Sequence, residues 1–220
     1  MGGEPGVESL YPFLYAGEAD LDEVLGQVRR STVEKAAEIV ALRRLMLERD
    51  QARLVVCATA MAASFAGGGR LFAFGNGGSS TDAQAVATTF LHPGPGGRPL
   101  PALSLTDDVA VVTALANDVG FEVVFARQLA AFAKPGDIAV GLSTSGNSDN
   151  LIRAFEEASR RGLLTVGLAG YQGGKMAEVD TIDHLFVAPS SSVHRIQEAQ
   201  TTTYHVLWEL THTALAAGGS

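Results

Sequence analysis

The chain predicts an α/β fold built on a five-stranded, parallel, doubly wound sheet. Three observations carry that prediction. From Arg70 onward, short apolar runs alternate with segments of helical period. None of the runs shows the polar–apolar alternation of a strand with one wet face, so each reads as covered on both sides. After the runs come turns rich in Gly, Ser, Thr, Asn or Asp, and in an open parallel sheet ligands collect at the carboxyl ends of the strands.

The elements follow in order. Three helical segments come first. Leu21, Val24, Leu25 and Val28 share one face, with Asp20 and Glu23 spaced as a capping box. Ser31-Thr32-Val33-Glu34 repeats that cap signature before Ala36, Ala37 and Val40. Leu54, Val55, Ala58, Met61, Ala62 and Phe65 then form an apolar stripe that Gly67-Gly68-Gly69 stops. The stripe reads as core or helix interface. Strands are expected at 71–74, 102–105, 138–142, 164–168 and 185–188. Helices are expected at 79–90, 109–131 and 149–161, with a short turn near Met176 and a long last helix over 194–215. The organisation is one domain over 20–215, between tails at 1–19 and 216–220.

A chain of 220 residues with 46% hydrophobic content can bury a sizeable core. Its net charge of -8 argues against a nucleic-acid-binding face, while leaving phosphate binding by neutral hydroxyls and amides open. Cys57 is the single cysteine, which excludes an intramolecular disulfide, and its alanine-rich setting reads as core. The most apolar window, 54–66, falls short of the roughly 20 residues that span a bilayer. The N-terminus has neither a basic n-region nor an apolar h-region, so a soluble cytoplasmic protein is expected.

The segment AVGLSTSGNS at 139–148 joins a buried-type strand end, a hydroxyl-rich turn and a helix start. Such a turn points hydroxyls and backbone N–H groups at one spot, where the helix dipole also favours an anion. It carries no lysine, which suits a phosphate monoester better than a nucleoside triphosphate. A second turn, Gly75-Asn76-Gly77-Gly78-Ser79-Ser80, follows the first strand. It lacks the third glycine of a dinucleotide fingerprint, and no Walker A sequence is present. Asp107-Asp108 reads as a helix N-cap after the second strand.

These residues resemble the SIS (sugar isomerase) family and, within it, the phosphoheptose isomerases, which act on sedoheptulose 7-phosphate. The matching segments are GNGGSSTDAQ at 75–84, TALANDVGFEVVFARQL at 113–129, GLSTSGNSDNLIRA at 141–154 and RIQEAQTTTYHVLWEL at 195–210. The resemblance implies a flavodoxin-like sandwich and a homotetramer with active sites at subunit interfaces. It implies a phosphate site of Ser79, Ser143, Thr144, Ser145 and Ser148. Asn76, Gly77 and Gly78 would line the sugar, and Asn117 and Asp118 would reach its hydroxyls. In these isomerases a histidine and a glutamate four residues apart follow the glycine turn, about 6 Å apart along the helix, placed for a metal or an acid/base pair. Here those positions are Ala85 and Thr89.

The last helix keeps its half, with Gln197 and His205 matching the family's glutamine and histidine. Eight residues separate them, roughly 12 Å of axial rise, so a shared site would draw them from different subunits. Zinc is implied by the resemblance, but two of its ligand positions are lost, and no metal residue is assigned. Isomerisation through an enediol needs a base and an acid. His205 can serve as one; for the other, His194 is a candidate substitute, with Glu198 behind it, and the alternative reading is that His194 only caps or hydrogen-bonds near the helix start. His92, His184 and His212 have no motif around them. The expectation is a sedoheptulose 7-phosphate isomerase-like enzyme that binds a sugar phosphate. The alternative is a non-catalytic relative that senses a phosphosugar or docks a protein partner such as a replication initiator. No membrane and no nucleic-acid partner is expected.

Overall fold

The structure, a computed structural model, describes residues 21–94 and 97–218. The chain divides into two compact units, one ending at Val40 and one beginning at Ala41. Asp20 of the expected capping box and the whole of the 1–19 tail lie outside the described residues, as do residues 95 and 96.

Helix α1 (Leu21–Ala66) is continuous over 46 residues. This corrects the expectation of three separate N-terminal helices. Between Gln27 and Ala66 there is neither glycine nor proline to end a helix. The Ser31-Thr32 pair caps nothing: the Thr32 hydroxyl donates back to the Val28 carbonyl at 2.8 Å, as a mid-helix threonine does. The real stop is Gly67-Gly68-Gly69, where Gly68 takes a φ of 81°.

In the unit from Ala41, α1 is followed by β1 (Leu71–Gly75), α2 (Gly78–Leu91), β2 (Ala102–Ser104), α3 (Val109–Asp118) and α4 (Val124–Phe132). Then come β3 (Ile138–Leu142), α5 (Asp149–Arg160), β4 (Leu164–Gly170), β5 (His184–Ala188) and α6 (Val193–Gly218). Short 3-10 turns occupy Phe121–Val123 and Gly174–Ala177. The helix expected over 109–131 is thus two helices, a second correction. Gly120, at φ 130°, breaks the α-helical path. Asp108 caps α3 as expected, accepting from the Ala110 and Val111 N–H groups.

All strand pairs are parallel, in the order β2-β1-β3-β4-β5. Successive residues of β1 alternate between two cores. Leu71 and Ala73 pack with Met61, Phe65, Phe90 and Leu207 on one face; Phe72 and Phe74 pack with Phe125, Leu129 and Phe155 on the other. That is the doubly covered sheet the unbroken apolar runs predict, each fully buried phenylalanine contributing about 1.5–3 kcal/mol. Cys57 is fully buried in the first core, and its thiol is pushed up to about 12, chiefly by burial. At the amino end of the sheet the fully buried Asp137 carboxylate accepts from the Arg70 and Lys134 N–H groups at 2.8 and 2.9 Å and pairs with the Arg70 guanidinium. It fixes the entry to β3, the end away from the turns that matter below.

Candidate functional site

In a parallel sheet of order 2-1-3-4-5 the strand order reverses between β1 and β3, and the crevice for a ligand opens outside their carboxyl ends. The two glycine- and hydroxyl-rich turns stand at that switch point. After β1 the chain turns through Gly77, at φ 57°, and Ser79 N–H bonds the Asn76 carbonyl to start α2. After β3, Ser143 N–H still bonds Leu168 of β4, and the Ser143 hydroxyl then accepts from Gly146 N–H at 2.9 Å. Gly146 has a φ of 69°, and a Cβ there would stand 1.9 Å from the Gly173 carbonyl; only glycine fits. Asn76 and Asn150 exchange a reciprocal amide pair at 2.8 and 2.9 Å, which ties the β1 turn to the first turn of α5.

The serine turn is half satisfied from within. Asn147 N–H bonds the Ser145 hydroxyl, and Asn147 Oδ1 accepts from Lys175 N–H. Among the described residues, the Thr144 and Ser145 N–H groups and the Ser79, Thr144 and Ser148 hydroxyls make no hydrogen bond to the protein. Backbone polar groups in so enclosed a turn call for a partner. Together with the amino ends of α2 and α5, they form a cradle of neutral donors for an anion.

Against this cradle lies α6. Gln197 Nε2 donates to Asp82 Oδ2 at 3.0 Å, and a Cβ on Gly78 would stand 2.6 Å from that same nitrogen. The amide head is therefore lodged between the α2 backbone and the Asp82 carboxylate. Burial raises the Asp82 pKa, and the Gln197 hydrogen bond pulls it part of the way back. Tyr204, one helical repeat beyond Gln197, is raised by burial and by the Asp82 charge, with its Thr201 hydrogen bond acting the other way. His205 lies exposed on α6 with Nδ1 2.8 Å from the Thr201 carbonyl. A carbonyl only accepts, so Nδ1 donates this bond and Nε2 is the ring nitrogen left free of it.

The remaining expected residues are placed as follows. His194 is exposed in the first turn of α6, and Glu198 is paired with Arg195. Asn117 and Asp118 are exposed at the end of α3, where Asn117 bonds Asp118; no hydrogen bond among the described residues joins them to either turn. His212 bridges the Trp208 and Arg98 carbonyls, and His184 is half-buried at the start of β5, its pKa lowered by burial. Ala85 offers no ligand, and the Thr89 hydroxyl is spent on the Ala85 carbonyl at 2.8 Å. Among the described residues, no group of three histidine, cysteine, aspartate or glutamate side chains could hold a metal ion. The donor set here does not fit zinc. Sequence reasoning missed Asp82 and Gln200, the latter 1% exposed with its Nε2 3.2 Å from the Ser143 carbonyl. Asp82 was within reach, since it precedes Ala85 by three residues on one helix face.

Comparison with known proteins agrees with this architecture. The SIS domain model matches residues 34–170. A phosphoheptose isomerase of Aquifex aeolicus is 43% identical over 159 residues, 72% of this chain and 82% of that protein. The structure of phosphoheptose isomerase from Neisseria gonorrhoeae superposes with a TM-score of 0.76 at 33% identity, covering 84% of this chain and 99% of that one. One from Francisella tularensis gives 0.72 at 30%, covering 89% and 100%. With the SIS domain model matched over 34–170, a five-stranded parallel sheet and relatives matched over most of their length, the chain belongs to the SIS domain family, among the phosphoheptose isomerases.

Proposed function

We propose that this protein is an aldose–ketose isomerase acting on a sugar phosphate of the sedoheptulose 7-phosphate class. The observation that carries the reading is the cradle of open hydroxyls and N–H groups at the β1/β3 switch point, with the Gln197–Asp82 pair beside it. Ser79, Ser143, Thr144, Ser145 and Ser148 hold the phosphate. Asn76, Gly77 and Gly78 face the sugar, and Asn117 and Asp118 serve its hydroxyls.

The chemistry needs a proton carried from one carbon to its neighbour. A base takes a C1 proton of the ketose, the C–H electron pair becomes the C1=C2 bond, and the C2 oxygen takes a proton to give the enediol. The C1 hydroxyl then gives up its proton as C1=O forms, and the base returns its proton to C2. No electrons enter or leave. We assign His205 as one acid/base group. We assign the other to Asp82, which is hydrogen-bonded to Gln197 one helical turn from Ala85 and would meet His205 across a subunit interface; His194 remains the group expected from sequence. Ala85 and Thr89, where the family has a histidine and a glutamate, carry no zinc donor, so the proton transfers fall to side chains alone. We place the enzyme in the cytoplasm as a homo-oligomer. Support for assembly comes from apolar side chains left in water on α1, among them Leu47 at 57% and Val56 at 60% exposure, and from α3, which buries none of its residues.

The test is conversion of sedoheptulose 7-phosphate by the purified protein, alongside His205→Ala. Turnover abolished by the substitution supports the reading. Absent turnover, with the sugar phosphate still raising the melting temperature, would favour the second reading, a phosphosugar sensor. The observation behind that one is the loss of the helix pair at Ala85 and Thr89.

A further inference from the structure

The phosphate cradle and the helix that carries Gln197 and His205 are joined at one point. Gln200 lies on α6 one turn beyond Gln197, and its Nε2 donates to the Ser143 carbonyl at 3.2 Å. It is among the most buried polar side chains of the chain, and its Oε1 has no partner. A long amide is costly to bury with one end unmet. The end that is met grips the first carbonyl of the serine turn.

The consequence follows from peptide geometry. The Ser143–Thr144 bond is trans and planar, so its C=O and its N–H point in opposite directions. Holding the carbonyl on α6 turns the Thr144 N–H away from α6, toward the open side of the turn. That N–H is one of those without a partner among the described residues. Beyond it the turn is wedged from behind: a Cβ on Gly170 would stand 2.4 Å from the Thr144 carbonyl. The neighbouring bonds of Ser143 N–H to Leu168 and of the Ser143 hydroxyl to Gly146 N–H fix the rest of the residue. Gln200 supplies the constraint on the one peptide plane that those bonds leave free.

We infer that Gln200 is a positioning residue, whose buried amide pins the Ser143 carbonyl and so aims the Thr144 N–H at the phosphate of the bound sugar. This rests on the phosphate reading of the turn given above. It also places the anion site and the acid/base helix in one register, because Gln197, Gln200 and His205 belong to the same rigid helix.

Gln200→Met keeps length and volume and removes the donor. Inorganic phosphate and sedoheptulose 7-phosphate are titrated into wild type and variant by calorimetry, with sedoheptulose as the competitor that lacks the phosphate. The expected result is phosphate affinity weakened about tenfold, the loss of roughly one net hydrogen bond. KM rises by a similar factor, kcat stays within about twofold, and the unphosphorylated sugar binds as before. A purely structural role would lower the melting temperature without that split. Gln200→His, which keeps an N–H donor, is expected to recover part of the affinity. Phosphate binding equal to wild type in Gln200→Met would overturn the inference while leaving the phosphate site standing. Should the variant not fold, the wild-type Thr144 amide resonance decides: a downfield shift on adding phosphate supports the inference, and an unmoved resonance overturns it. A wild type that binds neither phosphate nor sugar phosphate refutes both this inference and the reading beneath it.

Discussion

Gly78→Ala separates the site from the fold. Gly78 opens α2 at an ordinary φ, so alanine is tolerated by the backbone and gains about 0.5–1 kcal/mol of helix stability over glycine. Its Cβ, however, would stand 2.6 Å from Gln197 Nε2, where ordinary contact begins at 3.4 Å. The obstacle is the free end of a flexible side chain, so the amide moves and the helices do not. A retreat of about 0.8 Å takes the amide off the position from which it bonds Asp82 at 3.0 Å, so that bond is distorted or lost. The site loses the Gln197–Asp82 hydrogen bond and the fixed position of both partners. We expect kcat/KM on sedoheptulose 7-phosphate to fall about 10- to 100-fold, or roughly 1.4–2.8 kcal/mol of transition-state stabilisation. The melting temperature should hold or rise. Steady-state kinetics beside differential scanning calorimetry read both quantities. Activity within twofold of wild type would refute the argument, since it would mean that the Gln197–Asp82 contact plays no part in turnover.

Asp82→Asn should trade activity for stability. The folded-state pKa of Asp82 is raised by burial, so folding favours its protonated form and its ionisation costs stability as pH rises through the folded value. The variant should therefore melt no lower than wild type near pH 7, with any advantage shrinking as pH falls below the ordinary carboxylate range, while isomerisation is lost. Asp137→Ala leaves the Arg70 and Lys134 N–H groups without their carboxylate; a loss of about 3–5 kcal/mol is expected by chemical denaturation. Cys57, buried and with its thiol pushed up to about 12, should resist a thiol reagent in native protein and react stoichiometrically once unfolded. Gly146→Ala should abolish soluble expression or lower the melting temperature sharply, because no movement of a side chain relieves the contact with the Gly173 carbonyl.

What was legible in the sequence was whatever local chemistry decides. The three central strands could be read from runs such as Ile138–Leu142, because a strand buried on both faces must be apolar throughout; the edge strands β2 and β5 are only partly covered, yet their runs are short and apolar enough to be read as well. The serine turn could be read because Gly146 and its hydroxyl neighbours leave few alternatives. The helices were harder. Ser31-Thr32 has the composition of a cap, yet no residue nearby interrupts the helix, and the hydroxyl of Thr32 turned inward to Val28. At Gly120 the opposite held: a single glycine at positive φ split a segment whose apolar pattern is continuous. Asp82 and Gln200 escaped notice because their partners lie far off in the chain, 115 residues for Gln197 and 57 for Ser143. No periodicity reports a hydrogen bond of that range. The departure at Ala85 and Thr89, by contrast, needed only the sequence, and the structure adds that Thr89 spends its hydroxyl on its own helix.

The measurement that tests the central claim most directly is deuterium uptake by sedoheptulose 7-phosphate in D2O, followed by NMR with wild-type protein. Proton transfer through an enediol predicts deuterium at C1 of the ketose and C2 of the aldose at a rate set by protein concentration and eliminated by His205→Ala. A sugar phosphate that binds, raises the melting temperature and keeps every carbon-bound proton would contradict the account, and would leave a cradle without chemistry.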